Sequence, residues 1–129
     1  MESLHGNGEN ILIIEDEKGI LDLASAALNQ YGYIVQVASN GHQAEALFKE
    51  VQGNFQLIIS DVVLPDINGF DLVTKFTKNH PDIPVLMCSG FTEEQVKQSI
   101  IKEKGFRFLQ KPYSMNDLLT EVKETIRGA

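Results

Sequence analysis

Residues 11–17, ILIIEDE, decide the fold class and exclude one large class of ligands. Four apolar residues without a polar interruption suit a strand buried on both faces, as in a parallel sheet. The turn that follows carries Glu15, Asp16 and Glu17 where a dinucleotide-binding half would carry GxGxxG. Glycines there admit a pyrophosphate, whereas carboxylates repel it unless a cation intervenes.

Four more apolar runs lie downstream: Tyr33–Val37, Phe55–Ile59, Ile83–Cys88 and Phe106–Leu109. Their starts, counted from Ile11, are 22, 22, 28 and 23 residues apart, which leaves room after each strand for a loop and one helix. The intervening segments have helical spacing, with Ile20, Leu23, Ala24, Ala27 and Leu28 in the first and Ala44, Leu47 and Phe48 in the second. Phe70, Val73 and Phe76 mark the third, Val96 and Ile100 the fourth, and Leu118, Leu119, Val122 and Ile126 the fifth. Asn40-Gly41 and Asn68-Gly69 punctuate two loops before helices, and Ser114 followed by Asp117 reads as a helix start. Such alternation predicts an open, doubly wound α/β domain of three layers, with five parallel strands joined by right-handed crossovers. The second run contains Gln36 and suits an edge; the first, third and fourth suit the centre.

A chain of 129 residues has the length of one domain, and such a domain can hold itself together without disulfides or structural metal. Residues 1–10 are polar and rich in Gly and Asn, and are expected to form a flexible tail or linker, with the domain over 11–127 and a tail at 128–129. The single Cys88 sits in an apolar run and reads as core filling, as does Met87. His5, His42 and His80 read as incidental. No run approaches 18 apolar residues and the opening has no signal-peptide pattern, so membrane insertion is not expected. The net charge of −7 disfavours nucleic acid as a direct partner, and it is concentrated: residues 1–66 hold ten acids against two lysines.

Ligands of open parallel sheets bind beyond the carboxyl ends of the strands. Glu15 and Asp16 follow the first strand, Asp61 the third, Ser89 the fourth and Lys111 the fifth. Taken singly, each has an ordinary explanation: acids at a helix start, a loop cap, a strand terminator, an exposed lysine. Together they assemble acids, a hydroxyl and a cation in one place. Hard oxygen donors suit Mg²⁺ better than zinc, which would recruit Cys or His.

The stretches ILIIEDE, IISDVVLPDINGFDL, VLMCSG and FRFLQKPYS resemble the response-regulator receiver domain of two-component signalling, over about residues 11–127. The resemblance implies a CheY-like, flavodoxin-like sheet of order 2-1-3-4-5 and, often, a cis peptide between Lys111 and Pro112. It also implies Asp61 as phosphoacceptor, Glu15, Asp16, Asp61 and the Val63 carbonyl as Mg²⁺ ligands, and Lys111 as the phosphoryl contact. Ser89 and Phe108 are the implied switch residues, and Val63 and Phe91 the flanks of the pocket. Glu15 stands where Asp is frequent, so its reach differs, and Phe108 keeps an aromatic ring without the hydroxyl of Tyr. The implied donor is a histidine kinase or histidine phosphotransfer domain. The implied output surface, for a downstream protein or a second receiver, joins the fourth helical pattern, the fifth strand and the fifth helical pattern. The chain end looks like the terminal receiver of a hybrid sensor histidine kinase, with a stand-alone receiver as the other context; either places it in the cytoplasm. Two further classes are a small Mg²⁺-dependent phosphohydrolase with an aspartyl-phosphate intermediate and a pseudoreceiver that only binds protein.

Overall fold

Side chains alternate along β1 (Asn10–Ile14), sending Leu12 and Ile14 to one face and Ile11 and Ile13 to the other, and all four are buried. A strand with two apolar faces needs cover on both sides, and the helices supply it. The computed structural model describes residues 3–90 and 105–128. In chain order it contains β1, α1 (Lys18–Gln30), β2 (Ile34–Ala38), α2 (Gly41–Glu50), β3 (Leu57–Asp61), α3 (Gly69–Asn79), β4 (Val85–Ser89), β5 (Arg107–Gln110) and α4 (Met115–Arg127). The fourth helical pattern, around Val96 and Ile100, lies outside the described residues, so α4 here is the fifth pattern of the sequence. The five strands are parallel in the order β2-β1-β3-β4-β5.

On one face, α2 and α3 place Ala44, Leu72, Val73 and Phe76 over Leu12, Ile14, Ile58, Val85 and Met87. On the other, α1 and α4 place Leu21, Ala24, Leu28, Leu118, Leu119 and Val122 over Ile11, Ile13, Leu57, Ile59, Leu86 and Cys88. Every residue of β3 and β4 is buried, while β2 and β5 are partly exposed, as their edge positions require. Met87 and Cys88 are core residues.

The helix starts follow the caps written in the sequence. Asn40 and Asn68 are N-caps whose side chains accept Gln43 N–H and Phe70 N–H. Ser114 and Asp117 form a reciprocal capping box on α4. Glu17 precedes α1 without a side-chain cap bond.

Strand boundaries differ from the sequence reading at several residues. Asp61 and Ser89 are the last residues of β3 and β4 and do not lie beyond them, because the ladder continues through Asp61–Cys88 and Ser89–Gln110. Tyr33, Phe55, Ile83 and Phe106, apolar enough to be read as strand residues, instead precede their strands. The leading segment, expected to be flexible, lies against the domain over its described part. Gly6 and Gly8 donate to the carbonyls of Tyr31 and Gly32 at 2.7 and 2.8 Å, Leu4 packs on the α1–α4 side, and the His5 carbonyl accepts from Lys123. The His5 ring rests on Tyr31 with centroids 4.8 Å apart. Asn10, assigned to the tail, is the first residue of β1.

Candidate functional site

The carboxyl ends of β1, β3, β4 and β5 open on one cleft of about 740 Å³, lined by Asp16, Asp61, Val63, Ser89 and Lys111, with Ile20, Leu23, Tyr113 and Met115 on its apolar side. Asp61 ends β3, and its position is fixed by the next residue, whose N–H donates to the Cys88 carbonyl at 2.9 Å. Lys111 follows β5, and its own N–H donates to the Ser89 carbonyl at 2.7 Å, aiming its side chain back over the strand ends. The Lys111–Pro112 peptide is cis.

Lys111 Nζ lies 3.1 Å from Asp61 Oδ2 and pairs still more closely with Glu15 Oε1. The other Glu15 oxygen, Oε2, accepts Glu17 N–H at 3.1 Å. Glu15 is only 4 % exposed and Asp61 8 %, while Asp16 is open to solvent. Burial pushes the Glu15 carboxyl above its ordinary value, although Lys111 and the Glu17 N–H pull it down; the nearby Asp61 charge pushes the same way as burial. Burial works against the Lys111 ammonium, yet hydrogen bonds to Glu15 and Asp61 outweigh it and hold Lys111 above the usual lysine range. Lys111 is therefore a fixed positive charge shared by two acids.

Glu15, Asp16 and Asp61 each present an oxygen, and these oxygens lie within 4.8 Å of one another. Three hard anionic donors around one opening suit a divalent cation that retains water, and the donor set fits Mg²⁺. Val63 is 57 % exposed at the cleft rim, in an isolated antiparallel bridge with Asn68. Ser89 is buried at the cleft floor. Phe108, half-buried on β5 beside Met87, packs into the α2–α3 side of the core. Phe91 lies outside the described residues.

His42 and His80 stand apart from the cleft. His42 is in the first turn of α2, and His80 is the C-cap following α3, its ring edge-on to Phe48 at 5.2 Å. Three residues the sequence did not single out as site residues shape the cleft. Tyr113 lines it, Asp66 holds its β3–α3 loop, and Gly69 approaches the Asp61 carbonyl so closely that a Cβ would stand 2.0 Å from it. Only the Asn-Gly turn signal pointed near the last two.

The family model described as response regulator receiver domain matches residues 11–123. The chain is 34% identical over 116 residues to the sensor kinase CckA of Brucella abortus, covering 90% of this chain and 12% of that protein. It is 32% identical over 113 residues to the DNA-binding transcriptional regulator NtrC of Rhizobium meliloti, covering 87% of this chain and 23% of the regulator. These curated relatives are thus several times longer than the matched region. Among solved structures, a CheY-like receiver domain protein of Methanospirillum hungatei superimposes with a TM-score of 0.84 at 28% identity, covering 94% of this chain and 95% of that one. The chemotaxis regulator CheY4 of Vibrio cholerae gives 0.81 at 30% identity, covering 92% and 99%.

Proposed function

Because the chain belongs to the response-regulator receiver family, we propose that Asp61 is the phosphoacceptor of a two-component phosphorelay, receiving its phosphoryl group from a phosphohistidine on a kinase or phosphotransfer partner. The observation that carries this proposal is the pairing of Asp61 with Lys111 at 3.1 Å beside two further carboxylates at the strand ends. An Asp61 oxygen forms the new bond to phosphorus as the N–P bond of the phosphoimidazole breaks. The electron pair leaves on the imidazole nitrogen, which takes up a proton. Lys111 stands where it can offset the charge brought in by the phosphoryl oxygens, and the rigid strand ends hold the carboxylate in line.

Asp16, Glu15, Asp61 and the Val63 carbonyl are the groups that would hold Mg²⁺. Bound there, the ion supplies charge neutralisation and orientation of phosphoryl oxygens. Asp16, exposed at the mouth, is the better direct ligand, since both oxygens of Glu15 are already engaged. Ser89, at the floor, is the group to draw toward a phosphoryl oxygen, and movement of its loop would give Phe108 a second packing position. The responsive surface then includes β5 and α4, which Arg107 joins through Glu121 and Glu124 at 3.2 and 3.0 Å. A downstream protein or a second receiver is its occupant.

The receiver domain is the 11–127 unit of the sequence reading together with Asn10, the first residue of β1, with a leading segment before it and a short tail at 128–129. No helix of the described residues is long and apolar enough to cross a membrane. The setting proposed is cytoplasmic, as a stand-alone receiver or as the cytosolic receiver of a hybrid sensor histidine kinase.

Intact-mass analysis after exposure to a small phosphodonor tests the proposal. Wild type should gain one labile phosphoryl group in a Mg²⁺-dependent manner, and folded Asp61→Asn should gain none. Undiminished uptake by Asp61→Asn removes Asp61 from the role, and no uptake by wild type would leave a protein-binding pseudoreceiver.

A further inference from the structure

The loop that follows Asp61 is held at its far end by a helix on a different part of the chain. Asp66 Oδ1 accepts Gly41 N–H at 2.8 Å, and Oδ2 accepts His42 N–H at 2.9 Å. These are the first two donors of α2, and Asn40 Oδ1 accepts the third, Gln43 N–H, at 2.8 Å. The first turn of a helix leaves such N–H groups without intrahelical partners, and local caps usually meet them. Here one carboxylate from the β3–α3 loop meets two. The two hydrogen bonds hold the Asp66 carboxyl below its ordinary range, with Gly41 the larger cause. Ile67 adds a steric contact: a Cβ on Gly41 would stand 2.3 Å from Ile67 Cγ2.

The near end of the loop is equally constrained. Gly69 N–H donates to the Val62 carbonyl at 2.7 Å, and Val63 is bridged to Asn68. Val63, whose carbonyl is a proposed metal ligand, therefore sits in a short closed loop pinned to β3 at one side and to α2 at the other. A displacement of Val63 has little slack to absorb it before Asp66. A carboxylate with an oxygen on each of two adjacent N–H groups transmits a rotation better than a single bond does.

We propose that Asp66 is a positioning residue coupling the phosphoacceptor loop to the first turn of α2, which rests on the receiver assignment above. Metal binding and phosphorylation at Asp61 are then felt in α2, on a side of the sheet and at an edge remote from β5 and α4. Such coupling is reciprocal, so loosening the Asp66 grip weakens the metal site.

Amide NMR during titration with Mg²⁺, then with beryllofluoride as phosphoryl mimic, tests the coupling in wild type, Asp66→Ala and Asn40→Ala. Wild type should show Gly41 and His42 resonances moving with occupancy. Asp66→Ala should lose those movements and bind Mg²⁺ roughly tenfold more weakly, as when an outer partner of a metal ligand is removed. Asn40→Ala removes the local cap of α2 without touching the loop, so it should fray the helix and keep Mg²⁺ affinity. Should Asp66→Ala not fold, Asp66→Asn retains one acceptor oxygen and should give the same effects in weaker form. Unchanged Mg²⁺ affinity in the folded Asp66 variant, or an equal loss in Asn40→Ala, overturns the coupling while leaving the receiver assignment standing. A wild type that binds neither probe overturns both.

Discussion

Gly69 opens α3 with no room for a side chain, and Gly69→Ala measures how tightly the fold holds Asp61. A Cβ there would stand 2.0 Å from the Asp61 carbonyl oxygen and 3.0 Å from Val62 Cα. Carbon and carbonyl oxygen settle at about 3.3–3.6 Å, so more than an ångström of separation has to appear. No rotamer relieves the overlap, because the backbone alone sets the position of Cβ. The oxygen belongs to the last residue of a fully buried strand, so either β3 or the α3 start has to move. Overpacking of this kind costs about 1–3 kcal/mol. Helix propensity returns less than the ~1 kcal/mol of an interior Gly-to-Ala change, since Gly69 is the first helical residue. The net loss is roughly 1–2 kcal/mol, inside a total stability of about 5–15 kcal/mol, so the variant stays folded. The melting temperature should fall by about 3–10 °C. A shift of order 1 Å at a reacting group slows chemistry about 100-fold, so phosphoryl uptake should suffer more than stability does. Gly19→Ala is the control: it lies in α1 with nothing within 4 Å of its added Cβ, and should be neutral or slightly stabilising. Thermal melting and initial rates of uptake by intact mass read both effects. If Gly69→Ala melts and phosphorylates like Gly19→Ala, the close approach does not position Asp61.

Magnesium titration of Asp16→Asn and Glu15→Gln should show the larger loss of affinity in the former, because Glu15 spends its oxygens on Lys111 and the Glu17 N–H; the opposite order reverses the ligand assignment. The Cys88 thiol, pushed up to about 12 chiefly by burial, should resist thiol reagents at neutral pH in the folded state and react as urea opens the domain. Since that folded value lies above the ordinary 9.0, its contribution to stability is intact below pH 9 and is lost as pH rises toward 12; rapid modification of native protein would contradict this placement. Tyr33 is buried with a hydroxyl that has no partner among the described residues, so Tyr33→Phe should hold or raise the melting temperature, and a clear fall would show that the hydroxyl is satisfied.

Much of the fold is legible because it depends on local pattern. Four unbroken apolar residues before Glu15 announce a strand covered on both faces, and Gln36 marks β2 as an edge. Caps are equally local, as Asn40, Asn68 and Ser114 show. Strand ends are not, because a residue joins a ladder when its neighbour continues. Asp61 is in β3 because Cys88 lies beside it, and nothing in the polarity of Asp says so. The contacts of the leading segment are hidden for a related reason. Its glycines read as flexibility, yet Gly6 is small because the Tyr33 ring lies against it, where a Cβ would come within 2.3 Å. The residue that Gly6 meets lies more than 20 positions away, where composition does not reach.

The site divides along the same line, between the kinds of residue present and the pairs they form. Acids at the carboxyl ends of β1 and β3 and a lysine after β5 are readable because strand ends meet in a parallel sheet. How the two acids share that lysine, Glu15 more closely than Asp61, is not readable in the same way. The extra methylene of Glu15 was expected to change its reach toward a metal, and in the structure that reach is spent on Lys111. The charges then favour one kind of ligand. With Glu15, Asp16 and Asp61 ionised and Lys111 protonated, the cluster carries a formal charge of −2, the charge one divalent cation cancels. In the proposed transfer a phosphoryl group would add negative charge again, and Lys111, already paired with Asp61, would be the group to meet it. Glu15 thus acts on Asp61 through Lys111: by holding the ammonium against Asp61, it keeps positive charge at the strand end, where the proposed phosphoryl transfer would bring an oxyanion.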